Sequence, residues 1–548
     1  MSSSNPFPAP AASAARCPLL LAPSPPFPLR RFLPPPRTRC PARHPSLPAS
    51  SAPSEPGHRP PLDRMDIATL LPHLAPRSVT GPVDRVVSGV SHNSREIGPN
   101  DLFVAIRGAQ VDGRRFASNL HCAGVIADAP VEVLPGVTVI DVSSTRLALA
   151  RAAAAIQGFP GRELPVVGIT GTNGKTTTAH LLEAATAHAG CRSLLLGTTG
   201  HRLAGRPIPA QHTTPEATVI QHLLRRAVDE DCDHAIMEVS SIGLDLHRVE
   251  SLPFRVAAFT SFSQDHLDFH GDMERYFAAK TRLFTELLAP DGVAVLHADD
   301  PHIARLELPR QSTLRYGRSP HCDVRITAPE ADLSGCRASL QVFGRTLALH
   351  TPLVGAHNLE NSVCAFTIGL ALGLAPEPLL AGLAAAPPVP GRLQPVPSVD
   401  HAPTVFVDYA HTPDALTRVL EALRALTPGR IHTVFGCGGD RDRDKRPHMG
   451  RAAEQGSDAI WVTSDNPRSE DQQAIIDHIL AGLQRPASVF ADRRRAIDNA
   501  IAASGPTDVV LVAGKGHETT QTIDGFTHPF DDSRVAAEAL AQHFGGSS

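Results

Sequence analysis

The chain runs to 548 residues, 42% hydrophobic, 19% charged and 4% aromatic, with a formal net charge of −4. That length is too great for one core and predicts three domains at about 100–200 residues each. No apolar run reaches the roughly 18 residues of a membrane helix, so no membrane span is expected.

Residues 1–64 hold 18 of the 51 prolines, eight arginines, no lysine and only two acids, Glu55 and Asp63. Such a segment cannot bury enough apolar surface to fold, and disorder is expected. Its arginine and serine bias suits an organelle transit peptide, but its prolines oppose the amphipathic helix of one; the alternative is that translation starts at Met65. Without its +6, residues 65–548 carry about −10. An acidic body with no basic footprint argues against nucleic acid as the main partner. Nine scattered cysteines with no C-x-x-C pair read as free thiols of a reducing cytosol, not as disulfides or a zinc site.

Residues 65–162 alternate short apolar runs (102–106, 125–127, 137–140) with a helical stretch over 144–157, which predicts a small α/β domain closed by a turn at Phe159-Pro-Gly-Arg162. A second domain, 163–386, opens on Val166-Val-Gly-Ile-Thr-Gly-Thr-Asn-Gly-Lys-Thr-Thr-Thr178, an apolar run, a glycine-punctuated loop and then helix formers over 179–185. Strand, loop and helix in that order cradle phosphate, with Lys175 adding charge and Thr176 offering a hydroxyl. The P-loop pattern is met except for one glycine, since Ile169 stands where it is required and glycines fall at 168 and 171. ATP or GTP binding follows. Further apolar runs end at Glu238 in Met237-Glu-Val-Ser-Ser241 and lead to His266 in Thr260-Ser-Phe-Ser-Gln-Asp-His-Leu-Asp268. Two such groups at the carboxyl ends of adjacent strands predict a magnesium site beside the phosphates. A helix over 273–288 carries Lys280, which on its own reads as a solvent-facing cation. The third domain, 387–548, shows strands at 404–407, 432–435, 459–463 and 509–513 separated by helical segments, as in a doubly wound parallel sheet.

Gly-Thr-Asn-Gly-Lys-Thr-Thr, Glu-Val-Ser-Ser, Asp265-His-Leu-Asp268 with Tyr276-Phe-Ala-Ala-Lys280, Gly355-Ala-His-Asn-Leu-Glu-Asn361, Pro390-Gly-Arg392, Asp408-Tyr-Ala-His-Thr-Pro413 and Gly436-Cys-Gly-Gly-Asp-Arg441 follow in that order. With these blocks the chain resembles the Mur ligases over residues 65–548, and among them the members that extend UDP-N-acetylmuramoyl-L-Ala-D-Glu (UDP-MurNAc-L-Ala-D-Glu). The resemblance implies the three-domain architecture: an N-terminal uridine-nucleotide domain, a central P-loop ATPase domain and a C-terminal Rossmann-like domain. It also implies a bacterial cytoplasmic monomer that joins a carboxylate to an amine through an acyl phosphate, using ATP and Mg²⁺.

Residue roles carry over in the same way. Gly171, Thr172, Asn173, Gly174, Lys175, Thr176 and Thr177 would hold the phosphates; Asn358 would lie near the adenine, with Asp408 and His411 where the third domain closes. Thr176, Glu238, His266 and Lys280 would hold metal, Lys280 as a carbamate formed from CO₂ and its neutral amine. Ser94 would contact the uridine diphosphate, and Thr213, Thr214, Ser240 and Arg248 the muramoyl peptide. Ile242 and Leu246 depart from the common pattern there, where histidine and glutamine are usual. Asp465, Asn466, Pro467 and Arg468, with Arg441, Gly514 and Glu518, would take meso-diaminopimelate. A fixed arginine fork suits the distal carboxylate that lysine lacks, and Glu518 the distal ammonium. A lysine-adding ligase, a later dipeptide-adding ligase or a folylpolyglutamate synthase would lack that Asp-Asn-Pro-Arg run, and a non-catalytic scaffold would have lost the catalytic positions.

Overall fold

The computed structural model describes residues 65–108, 111–397 and 399–545. The disordered leader expected over 1–64 lies outside them. Three α/β sheets follow one another along the chain.

In the first sheet the strand order is Ser78–Thr80, Thr138–Asp141, Gly124–Ala127, Asp101–Val104, Gly89–Ser91. Only the edge strand Ser78–Thr80 runs antiparallel. Helix Thr145–Ile156 packs on it, started by Ser144, whose hydroxyl accepts from the Leu147 amide at 3.3 Å. The turn expected at 159–162 is instead the one-turn helix Pro160–Glu163, with Phe159 left-handed at φ 53°. Proline at the first helical position has no N–H to leave unpaired and presets φ.

The central sheet has eleven strands, and its middle decides where the site lies. Val166–Thr170 sits between His234–Glu238 and Phe254–Phe259, parallel to both, with Glu238 opposite Ile169 and Phe259 opposite Thr170. Three strand ends therefore open on the same edge. Alternate residues of these strands face two separate apolar layers, as a period of two demands. Val167, Ile169 and Ile236 meet helices Lys175–His188 and Ala356–Ala371, whereas Val166, Met237 and Phe259 meet helices Ala217–Asp229 and Met273–Thr285. The helix expected over 273–288 ends at Thr285, and Leu288 begins the strand Leu288–His297. Pro290 bars the helix from resuming beyond that point, because its ring would clash with the Glu286 carbonyl. Antiparallel strands, absent from the sequence reading, finish both ends of the sheet: Gly200–Leu203 with Arg206–Ile208, and Val324–Asp332, Gly335–Val342 and Arg345–Thr351.

The third sheet reads Gln394–Pro395, Thr404–Asp408, Val509–Ala513, Ile431–Phe435, Ala459–Thr463, Ser488–Phe490 and is parallel apart from the first pair. Four adjacent strands thus release the loops at 409, 436, 464 and 514 along one carboxyl edge. This is the parallel sheet that the sequence predicts.

Helix Met273–Thr285 brings Tyr276 and Lys280 beneath the phosphate loop, and Asp272 starts it by accepting from the Arg275 amide at 2.8 Å. Asp272→Ala is expected to cost about 1 kcal/mol at this end, read as faster amide hydrogen exchange over 273–285 than in neighbouring helices.

Candidate active site

Glycine is required twice in the phosphate loop. Gly171 and Gly174 have φ of 149° and 87°; a side chain at the first would collide with Thr260 Oγ1, and at the second with Asn361 Oδ1. Gly174 caps helix Lys175–His188 without any side-chain bond, so the first-turn N–H groups remain open to an anion. The loop is braced by the next strand end. Thr172 N donates to Ser261 O at 2.8 Å, its hydroxyl donates to Ser263 O at 3.0 Å and lies 3.2 Å from Tyr276 Oη, and Asn173 N donates to Ser261 Oγ at 3.1 Å.

Two lysines converge beneath this loop. Lys175 Nζ donates to Gly171 O at 2.7 Å and to Thr172 O at 2.9 Å, and Lys280 Nζ donates to the same Gly171 O at 3.0 Å. Lys280 is only 1% exposed and lies 4.6 Å from the Tyr276 ring centre. It is not the solvent-facing cation that the helix alone suggests. Neither lysine forms an ion pair among the described residues. Burial, and then the Lys175 charge, push the Lys280 amine well below the usual lysine value, with Asp265 opposing. Burial also lowers Lys175, against the pull of Glu238 and Asp265.

Glu238, 1% exposed, ends the neighbouring strand. One oxygen accepts from Thr176 Oγ1 at 2.8 Å and Thr198 Oγ1 at 3.0 Å, the other from Thr198 N at 2.8 Å. Its backbone carbonyl takes the Thr214 hydroxyl at 2.9 Å; Ser240 Oγ lies 3.0 Å from that hydroxyl, and Arg248 Nη1 donates to Thr214 O at 2.9 Å. Thr213 Oγ1 stands 3.0 Å from Thr198 Oγ1. The muramoyl-peptide candidates therefore surround the far side of the metal candidate. His266 lies on the opposite flank, exposed, left-handed at φ 51° and 6.2 Å from the Tyr276 ring. No group of three or more His, Cys, Asp and Glu side chains that could hold a metal occurs among the described residues. A hydroxyl beside one buried carboxylate, at the edge of a phosphate cradle, fits Mg²⁺, which keeps few protein ligands and takes phosphate oxygens.

A second cluster occupies the carboxyl edge of the third sheet. Asp465 and Asn466 are buried, and Asn466 Nδ2 donates to Glu518 Oε2 at 2.7 Å while its Oδ1 accepts from Thr522 N at 2.9 Å. Gly514, at φ 113°, lies so close to Asp465 that a Cβ would come 2.7 Å from Oδ2. Arg468 is left-handed at φ 57°; its amide donates to Thr522 O at 2.9 Å and its Nη1 to Gly439 O at 2.5 Å. The loop at 436–441 is tied to the same segment. Gly439 N donates to Asn466 O at 2.9 Å, Ser469 Oγ to Asp440 Oδ1 at 2.7 Å, and any side chain at Gly439 would strike the Pro467 carbonyl. Fully buried Arg446 grips Glu470 at 2.8 and 3.2 Å, which holds that carboxyl down at about 2. Arg441 is exposed, and neither it nor Arg468 forms an ion pair among the described residues.

Arg392 joins the two clusters. Its guanidinium stands 4.9 Å from the Tyr409 ring centre, and Nη2 donates to Thr176 Oγ1 at 3.4 Å. Asp408 accepts from the Leu393 and Ala410 amides at 2.7 and 2.8 Å, fixing the crossing. His411 packs 4.5 Å from Tyr409, its Nδ1 2.8 Å from the Tyr409 carbonyl.

Three family models match along the chain: the Mur ligase family catalytic domain over 86–157, the Mur ligase middle domain over 169–369 and the Mur ligase glutamate ligase domain over 391–516. A UDP-N-acetylmuramoyl-L-alanyl-D-glutamate–2,6-diaminopimelate ligase of Geobacter metallireducens is 43% identical over 494 residues, covering 85% of this chain and 96% of that one. The chain belongs to the Mur ligase family. A namesake from Gloeobacter violaceus is 44% identical over 462 residues, covering 83% and 94%. A solved structure bearing the same enzyme name superposes with a TM-score of 0.65 at 30% identity, over 88% of this chain and 99% of that one.

Within this Mur ligase, the structure brings Gly171–Thr176, Glu238, Lys280, Thr213, Thr214 and Ser240 around one edge, and Arg441, Asp465–Arg468, Gly514 and Glu518 around the other. Thr177 is buried in the first helical turn. Ser94 stands apart in a loop of the first sheet, joined to neither cluster by a hydrogen bond among the described residues. Asn358 is buried, with its amide already engaged to Val354 O at 2.8 Å and to Asn361 at 3.1 Å. Sequence reasoning passed over Asn361 and Arg392, although both lie inside motifs it singled out. It also missed Thr198, which no local pattern marks. Gly174→Ala would impose a left-handed non-glycine residue at about 1–3 kcal/mol besides the Asn361 collision. Nucleotide affinity, read by ADP titration calorimetry, is expected to fall about 10- to 100-fold.

Proposed function

We infer that this Mur ligase uses ATP to add meso-2,6-diaminopimelate to UDP-MurNAc-L-Ala-D-Glu in peptidoglycan precursor synthesis. The observation that carries the reading is the pairing of an anion cradle with a selector. Lys175 and the buried Lys280, neither in an ion pair among the described residues, underlie the phosphate loop, and Arg441 and Arg468, likewise unpaired there, share the other edge with Asp465 and Glu518.

The reaction brings a carboxylate against a polyphosphate, so positive charge and alignment must come from the protein. Lys175 and the open N–H groups of helix Lys175–His188 would take the β- and γ-phosphates of ATP. Thr213, Thr214, Ser240 and Arg248 would hold the muramoyl peptide so that its side-chain carboxylate meets the γ-phosphorus in line. Thr176, Glu238 and His266 would hold Mg²⁺, which when bound supplies charge neutralisation on the phosphates. Lys280 is suited to a carbamate: its amine is buried, displaced toward the neutral form and in no ion pair among the described residues. As a carbamate it would change from a second cation into an anion for metal. After phosphoryl transfer, the amine of the amino acid attacks the acyl carbon and phosphate leaves. Asp465 and Glu518 would hold the ammonium groups, and Arg468 with Arg441 the distal carboxylate. One chain carries every group named, so a monomer in the cytoplasm, where ATP and UDP-sugars are available, is sufficient.

Phosphate release with ATP and UDP-MurNAc-L-Ala-D-Glu should follow diaminopimelate and not lysine; release with lysine alone would overturn the selector, and none with any amine would leave a non-catalytic homologue. Arg468→Ala removes a charged hydrogen-bond partner worth about 1.5–3 kcal/mol, so KM for diaminopimelate should rise about 10- to 150-fold with KM for ATP unchanged. Incubation with ¹³CO₂ should give a carbamate carbon resonance that vanishes in Lys280→Ala; persistence of the resonance would assign the modification elsewhere.

A further inference from the structure

Beneath the proposed amino-acid pocket lies a buried ion pair. Arg493 opens helix Arg493–Ala502 and Asp532 opens helix Asp532–Phe544, and both side chains are fully buried. Arg493 Nε and Nη2 donate to the two Asp532 oxygens at 2.8 and 2.7 Å. The guanidinium is not spent on that pair. Nη1 donates to Ser464 O at 3.3 Å and Nη2 also to Ala513 O at 2.9 Å. These two carbonyls belong to the residues immediately before Asp465 and Gly514, at the ends of strands that are not neighbours, since Ile431–Phe435 runs between them.

Stability alone is a weak reason for such a pair, because burying two charges offsets most of their attraction. The donors to two strand ends have a different consequence. The Asp465 carboxylate occupies the space that a side chain at Gly514 would need, so drift of either strand end would separate the groups assigned to the amine. Arg493 and Lys515 both act on the buried Asp465 carboxyl and offset part of what burial does to it. We propose that Arg493, aligned by Asp532, is a positioning residue for the incoming amino acid, fixing the two strand ends so that the Asp465 carboxylate and the Gly514 backbone meet it together. This rests on the assignment of that pocket to the amino acid.

The test is a double variant, Arg493→Met with Asp532→Leu, which replaces the pair by apolar groups of similar size and so is expected to fold. KM for the amino acid should rise about tenfold or more, the worth of at least one net hydrogen bond, while KM for ATP, KM for the UDP-substrate and ADP affinity stay within about twofold. Arg493→Lys keeps charge without the fork and should fall between wild type and the double variant; it serves alone should the double variant not fold. An unchanged amino-acid KM overturns the proposal, as do all three KM values rising in parallel. If the wild type prefers another amino acid, the same ratio is read with that one. If it turns over none, the functional reading has failed independently, and amide exchange over 465–468 and 514–518 decides: faster in the variant with 166–188 unchanged supports the strut, and no difference removes it.

Discussion

Two lysine side chains donate to a single backbone oxygen, that of Gly171, and the rest of the active edge is arranged around that crowding. Burial and a like charge close by disfavour the charged form, so the Lys280 amine is displaced toward neutrality, and among the described residues no carboxylate pairs with either lysine. Left-handed glycines bring the loop backbone down onto the lysines and leave the helix N-terminus uncovered. The position of the loop strand within the sheet fixes the rest. With Val166–Thr170 in the middle, Glu238 arrives on one side and Ser261 and Ser263 on the other, so the carboxylate and the bracing groups stand at one level.

The third sheet repeats the device with opposite electrical character. Its central loops gather acids and arginines, with Lys515 and Arg493 buried behind them. The phosphate edge gathers lysines, whereas this one sets acids and arginines side by side. Among the described residues, Arg392 supplies the hydrogen bond that links a third-domain side chain to Thr176 of the phosphate helix. It stacks on Tyr409 and stops at Thr176, the same hydroxyl that leans on Glu238. That guanidinium thus ties the third sheet to the metal candidate, beside the apolar packing of Val354 against the third-sheet helices.

Much of this was legible in the residues. Gly-Thr-Asn-Gly-Lys-Thr is contiguous and its chemistry is local, so strand, loop and helix could be placed directly, as could Asp465–Arg468 behind an apolar run. Lys280 shows the opposite case. Its neighbours describe an ordinary helix, and only the packing of Met273–Thr285 beneath another strand's loop removes it from water. Thr198 and the Arg493–Asp532 pair escaped for the same reason, being joined by tertiary contacts between segments with no shared motif. The antiparallel edges were missed because the hairpins at 200–208 and 324–351 have no helix between their strands, unlike the strand-helix alternation that marks the rest of the sheet.

The interlocked loops at 436–441 and 465–470 have a consequence for how substrate preference can change in such a chain. Gly439 lies against the Pro467 carbonyl, Asp440 holds Ser469, and Arg468 closes on Gly439, so the two segments share one shape. Neither can be remodelled while the other stays as it is. Where these loops hold the amino acid, as proposed, a new preference would have to come from paired replacements in segments some thirty residues apart, and a transplanted arginine alone would arrive without the scaffold that aims it.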